Sequence, residues 1–235
     1  MLLSILLQIT TVAAPDTVSV LGTPAKVEHS INLLELILKG GWVMIPIFLL
    51  SAISLVIIID RFITISKASK DTNKFMDKIK TYITQGDIKS AKSLCEQTES
   101  PVARMIEKGI MRLGRPLKDI ESSIENTGKI EIYKLEKNMS VLAIVAGIAP
   151  MLGFVGTISG VIKIFYNIAL EENISIGAIA EGLYEKMITS AAGLMIGIFT
   201  YIGYHYLIVM IDRVVNKMEI SSVEFIDLLE EPVKS

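Results

Sequence analysis

The sequence holds one cysteine, one tryptophan and two histidines in 235 residues. With Cys95 alone no internal disulfide can form, and a reduced thiol serving as a small apolar packing residue is expected. His29 and His205 are isolated, no His-Glu-x-x-His run occurs, and no nucleophile has a base at helical spacing. The residues therefore lend no support to an enzyme, and no metal or organic cofactor is expected. No internal repeat is present, which argues against a solute carrier built from repeated halves. The most informative absence is local. Trp42–Ile59, Met139–Ile162 and Ile188–Ile211 contain no Asp, Glu, Lys or Arg.

What remains is a chain that is 51% hydrophobic, with a mean hydropathy of +0.54 and a net charge of −2. The three charge-free windows total 66 residues, and the other 169 carry all 48 charges, a water-facing composition. Windows of 18, 24 and 24 residues can each cross a hydrocarbon core of about 30 Å. The expected fold is all-α: a three-span integral membrane protein whose long helices extend into a helical cytoplasmic domain. Three spans cannot enclose a pathway by themselves, and the polar stripes of the second and third imply a ring of subunits with those helices facing inward.

Lysine and arginine placement orients the chain. Residues 61–138 hold 16 of the 23 basic residues, against two in 1–41, two in 163–187 and three in 212–235. The arrangement that satisfies this bias has an outer leader and segment at 1–41, a first span at 42–60 and a cytoplasmic helical domain at 61–138. A second span at 139–165, an outer turn at 166–175, a third span at 176–211 and a cytoplasmic tail at 212–235 complete it. The first 14 residues read either as a signal-peptide apolar core or as an amphipathic leader on the outer surface.

Within 61–138, Asp71 and Asp87 are expected to cap helices, Ser100-Pro101 to start a third, and Gly86 and Gly114 to end two of them. From Pro116 the apolar spacing predicts one helix of roughly 45 residues running into the second span. The lysine-rich surface reads as a solvated face and orientation signal, and no nucleic-acid partner is expected.

The second span is rich in small residues. Ala146, Pro150, Gly153, Thr157 and Gly160 fall on one helical stripe, with Gly156 close by, a pattern that brings another backbone near or leaves room for water. Pro150 removes a backbone hydrogen bond. Thr157 reads equally as a residue bonded within its own helix and as a hydrophilic lining. Before the third span, Glu181, Glu185, Thr189 and Ala192 share one face. An ionised carboxylate at mid-depth costs roughly 2.5–3.5 kcal/mol, so Glu185 is expected to exchange protons if it lies within the membrane. A solvated glutamate at the outer end, paired with Lys186, is the alternative.

The run APMLGFVGTISGVI at 149–162, followed by GLYEKMITSAAGL at 182–194, resembles the ExbB/TolQ/MotA proton-channel family, with the greatest likeness to its ExbB branch. SPVARMIEKGI at 100–110 is similar to a cytoplasmic helix of the same family. The likeness covers nearly the whole chain. It implies a homopentamer in the bacterial inner membrane around ExbD-like single-span helices, using the proton gradient to drive a TonB-like protein that powers outer-membrane transport. Protons are then the coupling ion. By position, the resemblance assigns the proton route to Glu185, Thr157 and Ser190. Periodicity instead favours Thr189, about 40° from Glu185 on an ideal helix against about 140° for Ser190, and both are kept. Pro150, Gly153, Gly156, Gly160 and Gly193 are assigned to helix packing. Lys186 departs from the family pattern. TolQ-like and MotA-type stators, and a non-conducting membrane scaffold, are the alternatives; three spans argue against the flagellar type, and the leader leans toward ExbB.

Overall fold

The computed structural model describes residues 42–69, 72–170 and 176–230, apart from the side chains of Ala178 and Glu185. The leader at 1–41, the Asp71 cap, residues 171–175 of the outer turn and residues 231–235 of the tail lie outside the described residues. Every regular element among the described residues is a helix. Helices α1 (Met44–Ala68), α6 (Met139–Leu170) and α7 (Ile176–Glu230) contain the three stretches long and apolar enough to cross a membrane. At 25, 32 and 55 residues they run for about 38, 48 and 80 Å. Between α1 and α6 lie α2 (Thr72–Thr84), α3 (Ile88–Gln97), α4 (Pro101–Ile110) and α5 (Leu117–Leu135).

The charge-free stretches turn large apolar side chains outward: Ile45, Leu49 and Val56 on α1, Met151, Phe154 and Ile162 on α6, Met195, Phe199 and Ile202 on α7. Such continuous apolar surface is at odds with water and matches hydrocarbon. The architecture is an all-α, three-span one.

The insert between the first two spans folds by ordinary amphipathic rules. Asp87 caps α3 by accepting from the Ser90 amide at 3.0 Å, and Ser100 caps α4 by accepting from Ala103 at 3.1 Å with Pro101 at the first position. Hydrogen bonds from Ser90, from its side chain first and its amide second, hold the Asp87 carboxyl below its ordinary value. Gly86 and Gly114, at φ +72° and +91°, turn the chain where the sequence places helix ends. Phe75, Met76 and Ile79 of α2, Ala91 and Cys95 of α3, Val102 and Ile106 of α4 and Ile120 and Ile124 of α5 form one buried cluster. Burial, with the Glu107 and Glu96 charges adding to it, pushes the Cys95 thiol up to about 12.

Two features depart from the sequence expectation. The helix beginning after Pro116 does not run unbroken into the second span. α5 ends at Leu135, and Asn138 takes φ +64° before α6 begins at Met139. Asparagine tolerates this left-handed conformation because its short amide bonds locally. The stretch read as a tail is helical through Glu230 and belongs to the insert's core: Val214, Met218 and Phe225 of α7 are buried in the same cluster. Gly109 makes room for that docking, since a Cβ there would meet the Phe225 ring at 2.7 Å and Ile124 at 2.8 Å.

Polar ties fasten the insert to the spans. Buried Arg61 of α1 donates from Nη1 to the Lys134 carbonyl at 3.1 Å while its Nη2 pairs with Asp60 at 2.6 Å. Lys217 of α7 donates to the Ser69 carbonyl and hydroxyl at 2.9 and 3.1 Å. Glu131 is buried between Arg104 and Lys134, and Lys134 Nζ lies 2.7 Å away. Burial alone would raise the Glu131 pKa, but the hydrogen bonds and charges of these two bases outweigh it and hold the carboxyl below its ordinary value.

Candidate functional site

The site is built on the antiparallel hairpin of α6 and α7, whose register is written in its glycines. Cβ atoms built on Gly182, Gly160, Gly153 and Gly193 would meet Ile164, Lys186, Ser190 and Ala149 respectively, so contacts climb one helix as they descend the other. At Gly153 the obstructing atoms are the Ser190 Cα and carbonyl oxygen, both 3.1 Å away. At Gly193 they are the Ala149 carbonyl oxygen at 2.6 Å and the Gly153 Cα at 3.0 Å. Backbone therefore meets backbone, the contact that small residues permit between membrane helices. Gly197 continues the seam against Pro150. α6 remains helical across that proline.

α1 covers one flank of this hairpin. A Cβ on Gly156 would meet Thr189 Cγ2 at 3.1 Å and Val43 at 3.4 Å, and one on Gly203 would meet Ile58 at 2.7 Å. Thr189 is fully buried there, wedged against Gly156. The two remaining hydroxyls lie on the other flank. Thr157 is about 40° round α6 from Gly153, and Ser190 is about 60° round α7 from Gly193. Because the helices are antiparallel, both rotations lead to the same side, away from α1. Both residues are half-buried. The Thr157 hydroxyl donates to the Phe154 carbonyl at 2.7 Å, which commits its hydrogen and leaves oxygen lone pairs as acceptors.

Of the residues singled out from the sequence, Pro150, Gly153, Gly156, Gly160 and Gly193 all lie along the α6–α7 seam. Thr157 and Ser190 share its open flank, and Thr189 sits on the α1 flank. Glu185 is in the helical backbone of α7, one turn before Thr189; its side chain lies outside the described residues. The sequence reading did not place Gly197 or Lys186 in the seam; Lys186 entered it only as the alternative partner of Glu185 and as a departure from the family pattern. Their signal was the four-residue recurrence Thr189, Gly193, Gly197 and the seven-residue step from Lys186 to Gly193, which set all four on one face. Among the described residues there is no group of three or more His, Cys, Asp or Glu arranged to hold a metal.

The profile of the MotA/TolQ/ExbB proton channel family matches residues 97–220, more than half of the chain and all of the seam. The chain belongs to that family. Its similarity within the MotA/TolQ/ExbB group extends beyond the matched core. It is 25% identical over 190 residues to a protein named as a biopolymer transport ExbB homolog from Methanothermobacter thermautotrophicus, covering 80% of this chain and 67% of that one. A second such protein, named ExbB-like 1, from Synechocystis is 25% identical over 198 residues, 83% of this chain and 78% of its own. The biopolymer transport protein exbB1 of Vibrio cholerae is 25% identical over 187 residues, 74% of this chain and 78% of its own. The chain is thus an ExbB-family, multi-pass membrane protein.

Proposed function

We propose that this chain is an ExbB-like proton-channel subunit of an inner-membrane energy-transducing motor. It works as a homopentamer with an ExbD-like single-span partner and a TonB-like protein that carries the work to outer-membrane transport. The observation that carries this reading is the open flank of the α6–α7 hairpin. Thr157 and Ser190 present hydroxyls there, on the side that α1 leaves uncovered; Glu185 precedes Ser190 in the same helix and, on an ideal helix, stands about 140° round from it, on the Thr189 side. A neighbouring copy or a partner helix laid on that flank would complete a polar path that one chain cannot enclose.

In this reading the N-terminus is periplasmic and the C-terminus cytoplasmic, following the basic residues of 61–138. Glu185 takes up and releases the proton, Thr157 and Ser190 line the route, and Thr189 holds the seam beside it. Protons are the coupling ion, and the chain carries out no bond-breaking chemistry. One proton crossing 100 mV releases about 2.3 kcal/mol, enough to bias a two-state rearrangement of the helices.

The test is substitution of Glu185 in the full-length chain in cells, with proton-dependent uptake and membrane assembly measured together. Glu185→Gln and Glu185→Ala are expected to abolish uptake while the complex still assembles. An active Glu185→Ala variant sinks the proposal and leaves the scaffold reading, which instead predicts failure only when seam glycines such as Gly153 are enlarged.

A further inference from the structure

Lys186 is the one charged side chain that the α6–α7 seam receives among the described residues. It precedes Gly193 by seven residues, so on an ideal helix it stands about 20° from that glycine and faces α6. A Cβ built on Gly160 would collide with the Cγ, Cδ and Cε of Lys186. Three successive stem carbons against one glycine mean that the side chain runs along the α6 backbone rather than out from the helix. Lys186 is accordingly half-buried, although it is charged. Gly160 thus does more than let two helices approach: the space where its Cβ would stand is filled by a lysine stem.

We propose that Lys186 is a tethered cation that makes the outer end of the route selective for protons over Na⁺ and K⁺; this rests on the channel reading given above. An alkali cation is held by charge and by several oxygen atoms gathered around it. An ammonium fixed in the same helical turn as Glu185 already supplies the positive charge such oxygens would draw from solution. It also repels a second cation in surroundings where charge is poorly screened. A proton is held differently, as a covalent O–H bond on a carboxylate, and keeps its access. The other charged side chains described at this end, Lys163 on α6 and Glu181 on α7, are exposed. Lys186 is the one whose stem the seam holds in place.

The experiment uses membrane vesicles from cells producing the full-length chain together with the single-span proteins that co-purify with it. Proton flux is followed with a pH-sensitive dye and Na⁺ flux with radioactive sodium, under the same imposed potential. The wild-type chain is expected to pass protons at a rate independent of Na⁺. Lys186→Met keeps most of the stem and removes the charge, and should raise the Na⁺-to-H⁺ flux ratio about tenfold or more. Lys186→Arg should keep the wild-type ratio. Gly160→Ala, which displaces the stem and spares the charge, should shift the ratio in the same direction as Lys186→Met and decides the matter if that variant fails to accumulate. A wild-type ratio in the Met variant, or in the Gly160→Ala variant where the Met variant is not recovered, overturns the proposal. So does a wild-type chain that passes Na⁺ as readily as protons. If Glu185→Gln leaves the proton flux unchanged, it is the channel reading that fails.

Discussion

Gly193 of α7 faces the main-chain oxygen of Ala149 on α6 so closely that a Cβ on the glycine would stand 2.6 Å from it. Main chain inside a helix cannot swing aside as a side chain can, so relief requires the two helices to separate. Overpacking of this kind costs about 1–3 kcal/mol. Gly193→Ala is therefore expected to lower the melting temperature of the detergent-solubilised protein. Gly147→Ala is the control. Nothing lies within 4 Å of a Cβ at Gly147, and alanine suits a helix better than glycine. Equal melting of the two variants would contradict the hairpin packing.

The Arg104–Glu131–Lys134 cluster predicts a specific acid response. The Glu131 carboxyl is held below its ordinary value of 4.5, so its stabilising contribution is complete above that pH and is lost as pH falls through the lower, folded-state value. Glu131→Gln should cost about 1–2 kcal/mol at pH 7, a figure reduced because Arg104 and Lys134 are both substantially exposed. Melting followed from pH 7 down to about pH 3 checks both points. The difference between wild type and variant should shrink below the Glu131 titration, and a difference that stays constant would rule out this ion pair as its source.

Cys95 is buried to 2% exposure with its thiol pushed up to about 12, so almost no thiolate exists near neutrality. A maleimide reagent should leave the native protein unlabelled over hours at pH 7.5 and label it on addition of denaturant. Fast native labelling would mean that α3 opens. Cys95→Ala should be mild, whereas Cys95→Ser buries a hydroxyl without an assured partner and should cost about 1–3 kcal/mol.

Much of this architecture can be read from the residues because its signals are local. Charge-free windows announce spans whatever surrounds them, and Asp87, Ser100-Pro101, Gly86 and Gly114 carry their turn chemistry in one or two positions. The break at 136–138 is silent because the apolar period of α5 passes into α6 without a glycine or proline, and a single asparagine absorbs the turn. The stretch after Ile211 reads as a tail because charge returns there, although the spacing of Val214, Met218 and Phe225 keeps the phase of a packed helix. Lys186 shows the deeper limit. Its phase on α7 follows from counting to Gly193, but its neighbour Gly160 is set by the register of the hairpin, a tertiary fact.

Thr157 shows how one hydroxyl can serve both readings open at the sequence level. Its hydrogen is committed to the Phe154 carbonyl at 2.7 Å, yet its oxygen still accepts on the flank that α1 leaves uncovered. Thr157→Ser preserves both roles and should keep proton-dependent uptake near wild type. Thr157→Val keeps the shape and removes the oxygen, and should lower uptake at unchanged protein level. Full activity in the valine variant would assign Thr157 to packing alone.

The joint at Asn138 gives the last expectation. At φ +64° a β-branched residue meets the carbonyl clash that disfavours left-handed backbone, a cost of about 1–2 kcal/mol, whereas glycine adopts it freely. The joint borders a cavity of about 240 Å³ lined in part by Glu136, Ser140, Tyr204 and Asp212, so α5 and α6 have space beside them in which to realign. Asn138→Gly is expected to melt close to wild type and Asn138→Val clearly below it. Asn138→Ala, the best helix former of the three, should fall between them, because it sheds the asparagine's ease with this conformation without adding a branched Cβ. If alanine instead melts highest, the expected continuous helix from Pro116 is the more stable form, and the break is a strain that Asn138 only tolerates.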